Sequence, residues 1–228
     1  MERPPIADQP LSVVLPSYNA RAELPSLLVE LRATLDKLKR NYQVLVVDDA
    51  STDGSAELVQ AEAATWPKLQ LLRRDRHEGH GAALAAGLAQ ATLPLVFTLP
   101  AAAGFNPDAL PLMLKQIDAV DLVVGRRAGI SSWGWLGSAS WWIFGLSLVD
   151  PGCPVRLYRR TVLERLPIQS KSAYAHVEIL AKLNFLGALM AEVEVNAPAD
   201  WRAAGDPSLA ADRYTVWRTP RFRALVTA

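Results

Sequence analysis

Short apolar runs recur along the first half of the chain, and each is followed by a stretch with a different rhythm. Residues 11–15, 43–47, 69–72, 95–99 and 121–125 are Val- and Leu-rich runs bounded by turn-forming residues, the pattern of strands covered on both faces. Between them, residues 22–39, 55–64, 81–90 and 108–117 read as helices. The first is the clearest, with leucines at 24, 27, 28, 31 and 35 on one helical face. Such alternation implies right-handed crossovers and an α/β, Rossmann-like fold: a mostly parallel sheet with helices on both faces. After Arg127 the rhythm breaks. A short strand at 155–158, a helix at 173–186 and a last strand at 191–195 extend the same sheet. Residues 1–10 form a Pro-rich lead-in, 11–208 the domain and 209–228 a C-terminal tail, with the chain from Ala197 onward expected to be irregular.

Composition narrows the partners. Half of the 228 residues are hydrophobic, enough for a sizeable core and too many for a disordered chain. Twenty-four basic residues nearly cancel 23 acidic ones, so no global basic footprint for nucleic acid exists. The single cysteine, Cys153, excludes an internal disulfide framework and a multi-cysteine zinc site. No apolar segment precedes a cleavage-like site near Met1, and the expected compartment is the cytoplasm, peripheral at a membrane surface. Four of the seven tryptophans, Trp133, Trp135, Trp141 and Trp142, fall in an uncharged stretch at 128–149 rich in serine and glycine. This stretch suits a buried or interfacial element better than a spanning helix.

In parallel α/β sheets ligands bind beyond the carboxyl ends of the strands. The first strand runs into Pro16-Ser17-Tyr18-Asn19, the second into Asp48-Asp49 and then Asp53-Gly54. Paired carboxylates at a strand end suit recognition of ribose hydroxyls or a base N–H, since an ionised carboxylate only accepts hydrogen bonds. For Asp53, capping of the next helix is an equal reading. Gly79-His80-Gly81 opens an Ala-rich helix, where glycines allow either a close ligand approach or tight packing. A metal site from His77, Glu78 and His80 is conceivable in composition, although loop histidines at this spacing are usually surface groups. His176 and Glu178, two residues apart, do not share a helix face.

The ordered set PSYN, VVDDASTDGS, EGHGAALAAGL, FNPD at 105–108, GRR at 125–127, DPGCPVRLYRR at 150–160, HVE at 176–178 and RAAG at 202–205 resembles family 2 glycosyltransferases of the GT-A fold. Polyprenol-phosphate sugar transferases are the most similar class. The resemblance implies a nucleotide-diphosphate sugar as donor, held at Pro16, Tyr18, Asn19, Asp48, Asp49, Asp53, Gly79 and Gly81. It implies phosphate contacts from Arg127 and Arg202, whose planar guanidinium forks pair two oxygens at once. A polyprenyl phosphate or a membrane surface would meet the Trp133–Trp142 segment.

One expected feature is missing. Family members hold a divalent cation on an Asp-x-Asp after the fourth strand, and here those positions are Pro100 and Ala102, which carry no ligating oxygen in their side chains. No metal cofactor is therefore expected. The Glu that commonly follows Asn19 is Ala20, and Pro154 stands where DPGCG-type motifs have glycine. A metal clamp is worth several kcal/mol of developing diphosphate charge. Arg73, Arg74, Arg76, Arg126 and Arg127 are the cations that could replace it. Two readings follow: a transferase that works without metal, and a catalytically impaired binding or regulatory module on the same fold.

Overall fold

The computed structural model describes residues 9–130, 145–164, 166–201 and 209–222. Seven strands form one sheet: β1 (Leu11–Ser17), β2 (Tyr42–Asp48), β3 (Leu69–Arg73), β4 (Leu95–Thr98), β5 (Leu122–Arg127), β6 (Arg156–Arg159) and β7 (Met190–Val195). Their spatial order is β3-β2-β1-β4-β6-β5-β7. All neighbouring pairs are parallel except those of β6, which runs antiparallel to both β4 and β5. Central strands such as β1 and β4 are buried along their whole length, so the sheet is covered on both faces as the continuous apolar runs required.

Helices α1 (Leu24–Lys37), α2 (Ser55–Thr65), α3 (His80–Gln90) and α4 (Leu110–Gln116) fall between the first five strands, with a short 3-10 turn at Pro107–Ala109 entering α4. Pro25 starts α1 at a position where its missing N–H costs nothing, and Leu24, Leu27, Leu28, Leu31 and Leu35 bury its inner stripe. Helix α3 is built from Ala and Gly for a different reason. A Cβ at Gly87 would come within 2.3 Å of Val14 Cγ1 and 2.9 Å of Val47 Cγ2, so a bare backbone is what lets α3 lie against β1 and β2.

The second half departs from the βα rhythm. A one-turn helix α5 (Arg160–Leu163) follows β6, then α6 (Ala175–Phe185) and, after β7, α7 (Leu209–Arg218). This last helix corrects the expectation of an irregular tail. Val216 is buried against Tyr174 and Val177, and Asp212 accepts from the amides of Lys171 and Ser172 and from the Ser172 hydroxyl at 2.6–2.9 Å. Contacts distant in sequence stabilise the helix, which local periodicity did not announce. Among the described residues no helix is long and apolar enough to cross a membrane.

Arg156 holds the loop before β6. It is fully buried, and its three guanidinium nitrogens donate to the carbonyls of Cys153, His176 and Pro151 at 2.6–2.8 Å. It thereby joins the 150–155 loop to the start of α6. Arg156→Met keeps much of the volume but strands the loop carbonyls of Pro151 and Cys153 and removes a second donor from that of His176, each stranded group costing on the order of 1–3 kcal/mol. Urea unfolding of that variant is expected to show a loss of at least about 3 kcal/mol; a loss below about 1 kcal/mol would contradict the assigned role.

Candidate functional site

The chain runs from β1 outward to β2 and β3, then returns to β4 on the other side of β1, so the strand order reverses between β1 and β4. A crevice must open there at the carboxyl ends. The structure has one: a cleft of about 450 Å³ whose lining includes Pro16 to Ala20 after β1, Asp49 after β2, His80 and Ala83 of α3, Pro100 to Ala103 after β4, and Pro198, Asp200 and Trp201. A shallower depression adjoins it, sharing Glu23, Ala102, Ala103 and Pro198.

The loops after β1 and β2 are clipped together. The Asn19 amide donates to Ser51 Oγ at 2.9 Å, Asn19 Oδ1 accepts from the Thr52 amide at 2.9 Å, and the Ala20 amide donates to Ser55 Oγ at 3.0 Å. Asn19 and Ala50 adopt the left-handed backbone region, the strain accepted at this double turn. Asp53 accepts from the Arg21 amide at 2.9 Å and from the Ser55 amide at 3.0 Å and hydroxyl. Burial alone would raise its carboxyl, but these donors outweigh it and hold it below its ordinary value. Asp53 therefore braces the start of α2 and the β1 loop, and it does not line the cleft.

The adjacent pair Asp48 and Asp49 are both almost fully buried, with different surroundings. Asp48 Oδ2 accepts from the Ser51 amide at 3.1 Å, while its buried Oδ1 has no hydrogen-bond partner among the described residues. Asp49 faces the cleft yet both of its oxygens are engaged. Oδ1 accepts from Arg74 at 2.6 Å; Oδ2 accepts from the amides of Gly79 and Glu78 at 2.7 and 3.1 Å and lies 2.8 Å from His77 Nδ1. The His77 ring stacks on Tyr18, centroids 3.8 Å apart. Asp49 is thus the point where the ends of β1, β2 and β3 are tied.

The glycine loop has a divided role. Gly79 sits at φ 108°, which only glycine adopts readily. Gly81 lies against chain: its amide donates to the Lys171 carbonyl at 2.7 Å, and a Cβ there would sit 2.4 Å from the Ser172 carbonyl oxygen. The first amide of α3 that a phosphate would need is already used, so the structure gives Gly81 the packing role.

His77 and His80 diverge, and the conceived His77–Glu78–His80 metal group is not assembled. His80 Nε2 instead meets His176 Nε2 at 2.9 Å. Burial pushes His80 down to about 4 and His176 well below its ordinary value, the latter reinforced by the Arg156 charge. Both rings are therefore neutral near pH 7, and one N–H is shared between them. Trp201 packs edge-on against His80 and Phe105, centroids 5.2 and 5.5 Å away. Glu178, the other member of the HVE motif, is fully buried and bonds to the amides of Gln169 and Ser170 and to Lys182, which makes it a structural anchor. Cys153 is inert, its thiol raised to about 12 by burial and by the nearby Asp150 carboxylate.

The described arginines among the candidates do not line the cleft. Arg127 is buried in a two-point bond to Asp150, at 2.7 and 2.8 Å, and its remaining terminal nitrogen reaches the Ala199 carbonyl. Burial opposes its charge, and Asp150 outweighs that and keeps it protonated. Arg73 pairs with Glu57, Arg74 with Asp49 and Glu78, Arg76 with Glu78 and Arg126 with Glu194. Among the described residues no Lys or Arg lines the cleft; its ionisable side chains are Tyr18, Glu23, Asp49, His80 and Asp200. Arg202 and the Trp133, Trp135, Trp141 and Trp142 segment lie outside the described residues.

The donor set also bears on metal. Pro100 and Ala102 stand in the cleft floor without ligating atoms, and both oxygens of Asp49 are engaged by its neighbours. Among the described residues no group of three or more His, Cys, Asp or Glu side chains is placed to hold an ion. Among the described residues the cleft offers no set of ligating side chains that fits the divalent cation the resemblance implies. Trp201, Pro198, Glu23 and Asp200 were not singled out from sequence. Trp201 had a signal, as one of the seven tryptophans, but only the chain's return from β7 brings it to the cleft.

A mostly parallel sheet with its crevice at the β1–β4 reversal defines a GT-A-like α/β fold. It is shared with mannosyl-3-phosphoglycerate synthase from Rubrobacter xylanophilus (TM-score 0.70, 20% identity, 92% of this chain and 72% of that one). It is shared also with glucosyl-3-phosphoglycerate synthase from Mycobacterium tuberculosis in complex with Mn2+, UDP and glucosyl-3-phosphoglycerate (TM-score 0.67, 19% identity, 93% and 77%). Residues 12–167 match the family described as glycosyl transferase family 2, and the chain belongs to that family. It is 37% identical over 182 residues to undecaprenyl-phosphate 4-deoxy-4-formamido-L-arabinose transferase of Aeromonas hydrophila subsp. hydrophila, covering 75% of this chain and 55% of that protein. The protein of the same name from Pseudomonas aeruginosa is 33% identical over 165 residues, covering 68% and 49%. The chain spans about half the length of these curated relatives.

The neutral histidine pair makes stability depend on pH. An unfolded imidazole takes up its proton near 6.5, whereas His80 in the fold resists protonation down to about 4. The unfolded state binds more protons in that window, so stability falls as pH is lowered through it, by up to ~1.4 kcal/mol per pH unit for each histidine. Urea midpoints between pH 7 and 4 should show this fall, and His80→Gln should flatten it. The stabilisation from Asp53, held below its ordinary value of 3.8, is present throughout most of this range and is lost only as pH falls below it. A flat wild-type profile would rule out the buried neutral pair.

Proposed function

We propose that the chain binds a nucleotide-diphosphate sugar in the β1–β4 cleft and transfers the sugar to a polyprenyl phosphate without the usual divalent cation. The observation that carries this reading is the cleft itself. It opens between the PSYN turn and the 100–103 floor, at the position where a family 2 glycosyltransferase keeps its donor, and its floor has no metal-ligating side chain. The relatives' names supply the acceptor: they are undecaprenyl-phosphate sugar transferases. In such a transfer a phosphate oxygen of the acceptor attacks the anomeric carbon. The bond from that carbon to the diphosphate oxygen breaks, and the nucleoside diphosphate leaves with the electron pair. A phosphate oxyanion is already a nucleophile, so no general base is called for. On this reading Tyr18 and Asn19 hold the nucleoside end, while Trp201 and His80 wall the far side.

A second reading has its own support. A departing diphosphate needs positive charge or donors, and the described cleft residues include no Lys or Arg. A module that binds donor and turns over poorly or not at all satisfies that fact equally.

Calorimetry with UDP and GDP, each with and without manganese, tests the shared premise. Binding of one of them is expected, with the same affinity in both conditions. Pro100→Asp/Ala102→Asp is expected to make binding tighter by at least about tenfold when manganese is added, equivalent to ~1.4 kcal/mol. No nucleotide binding in any condition would overturn the reading. Sugar transfer to undecaprenyl phosphate then separates the two: turnover supports the transferase, and intact binding with no turnover supports the impaired module.

A further inference from the structure

The open cleft stops at Tyr18 and Asp49 on its β2 side. Among the described residues, none between 50 and 79 lines it. Yet β3 ends beside the end of β2, and the chain that follows it is bonded to Asp49 through Arg74, Glu78 and Gly79. His77 closes this end. Its ring lies flat on Tyr18, with centroids 3.8 Å apart and planes 16° from parallel, and its Nδ1 is 2.8 Å from Asp49 Oδ2. An ionised carboxylate only accepts, so the ring nitrogen that faces it is the one carrying a proton.

Both partners of His77 are groups that the family resemblance assigns to the donor nucleotide. A planar ring stacked on a tyrosine, with a proton-bearing nitrogen against a carboxylate, has the shape and polarity of a nucleobase presenting a ring N–H. We infer that His77 stands in for the donor's base in the free protein, and that a nucleotide binds by displacing it. The inference rests on the donor-site reading above.

His77 is held in a way that lets it leave. None of residues 73–78 is buried, so no apolar anchor fixes this loop in the core. The His77 side chain is 27% exposed and borders the water into which it can turn. Asp49 does not depend on it, because Oδ2 also accepts from the amides of Glu78 and Gly79, and Oδ1 accepts from Arg74. A rotation of the His77 side chain therefore uncovers one face of Tyr18 and one approach to Asp49 without stranding a buried carboxylate. Until it rotates, the stack sets a threshold for every nucleotide: apparent affinity is the intrinsic affinity multiplied by the fraction of molecules with His77 out. A ring that merely backed Tyr18 as a platform for the base would act with the opposite sign, and its removal would weaken binding.

Calorimetry with UDP and GDP on the full chain and on His77→Ala reads that sign. The variant is expected to bind whichever nucleotide the wild type binds at least about tenfold more tightly, as when His77 is out in about a tenth or fewer of the free molecules. His77→Phe keeps a ring for Tyr18 but has no nitrogen for Asp49, and is expected to fall between the two. A thermal melt of each variant checks that it folds. Proton NMR of the wild type gives a second readout that needs no variant to bind. The chain has three histidines, and the His77 ring protons are those missing from the His77→Phe spectrum. They are expected upfield of a solvated imidazole in the free protein, shifted by the Tyr18 ring, and to move back as nucleotide saturates the site. Equal or weaker binding by folded His77→Ala overturns the inference, as do His77 resonances at the solvated position in the free protein or resonances that nucleotide leaves in place. If the wild type binds and His77→Ala gains nothing, the inference alone fails. If neither protein binds any nucleotide, the donor-site reading fails and takes the inference with it.

Discussion

The contact between the first amides of α3 and the carbonyl of Lys171 is the constraint on which the rest of the site depends. It exists because residue 81 has no side chain: any Cβ there would collide with the carbonyls of Ser170 and Ser172. Through that contact the first half of the sheet and the C-terminal half become one body. Glu178 and Lys182 hold residues 167–170 from one side, and Asp212 holds residues 171–172 from the other. The His80–His176 pair is closed by the same approach, since it joins the start of α3 to the start of α6. A pair of helix starts brought this close leaves little water around the imidazoles, which is why both stay neutral.

Charge in this protein is largely engaged in holding the chain. Asp49, Asp150 and Glu178 are buried carboxylates; the first two are met by donors 23 to 30 residues away, and Glu178 by the nearby amides of Gln169 and Ser170 and by Lys182. Burying a carboxylate is costly unless it is fully bonded, so these groups lock loops in place and have little capacity left for a ligand. The arginines follow the same rule, with Arg127 matched to Asp150 and Arg156 to three carbonyls. Among the described residues the cleft is lined by aromatic rings, small apolar residues and the acidic groups of Glu23, Asp49 and Asp200. A family 2 scaffold has kept its cleft while Arg127, expected to serve a diphosphate, is an internal tie to Asp150, which is why binding and turnover are separate questions for this chain.

Much of the fold was legible because each strand buries both faces and each helix one stripe, and both patterns are written in consecutive residues. The five leading strands, their helices and the presence of β6 and β7 follow from that, but β6 does not extend the sheet: it is inserted between β4 and β5. Helix α7 was not legible, since its stabilising partners, Tyr174, Val177, Lys171 and Ser172, lie about 40 residues upstream. Nor was the antiparallel course of β6, because nothing in four residues encodes direction; Arg156 and the pairing of β6 between β4 and β5 decide it.

The sequence by itself determined the class of fold, the family through its ordered motifs, and the loss of ligating side chains at Pro100 and Ala102, all of which depend on residue identity in order. Only the tertiary structure decided which way each polar group is used. Asp48, Asp49, Asp53, Gly81 and Arg127 are the same residues whether they face a ligand or another loop. Hydrogen-bond partners come from across the fold, and a buried polar group binds whichever complementary group the packing brings within 3 Å.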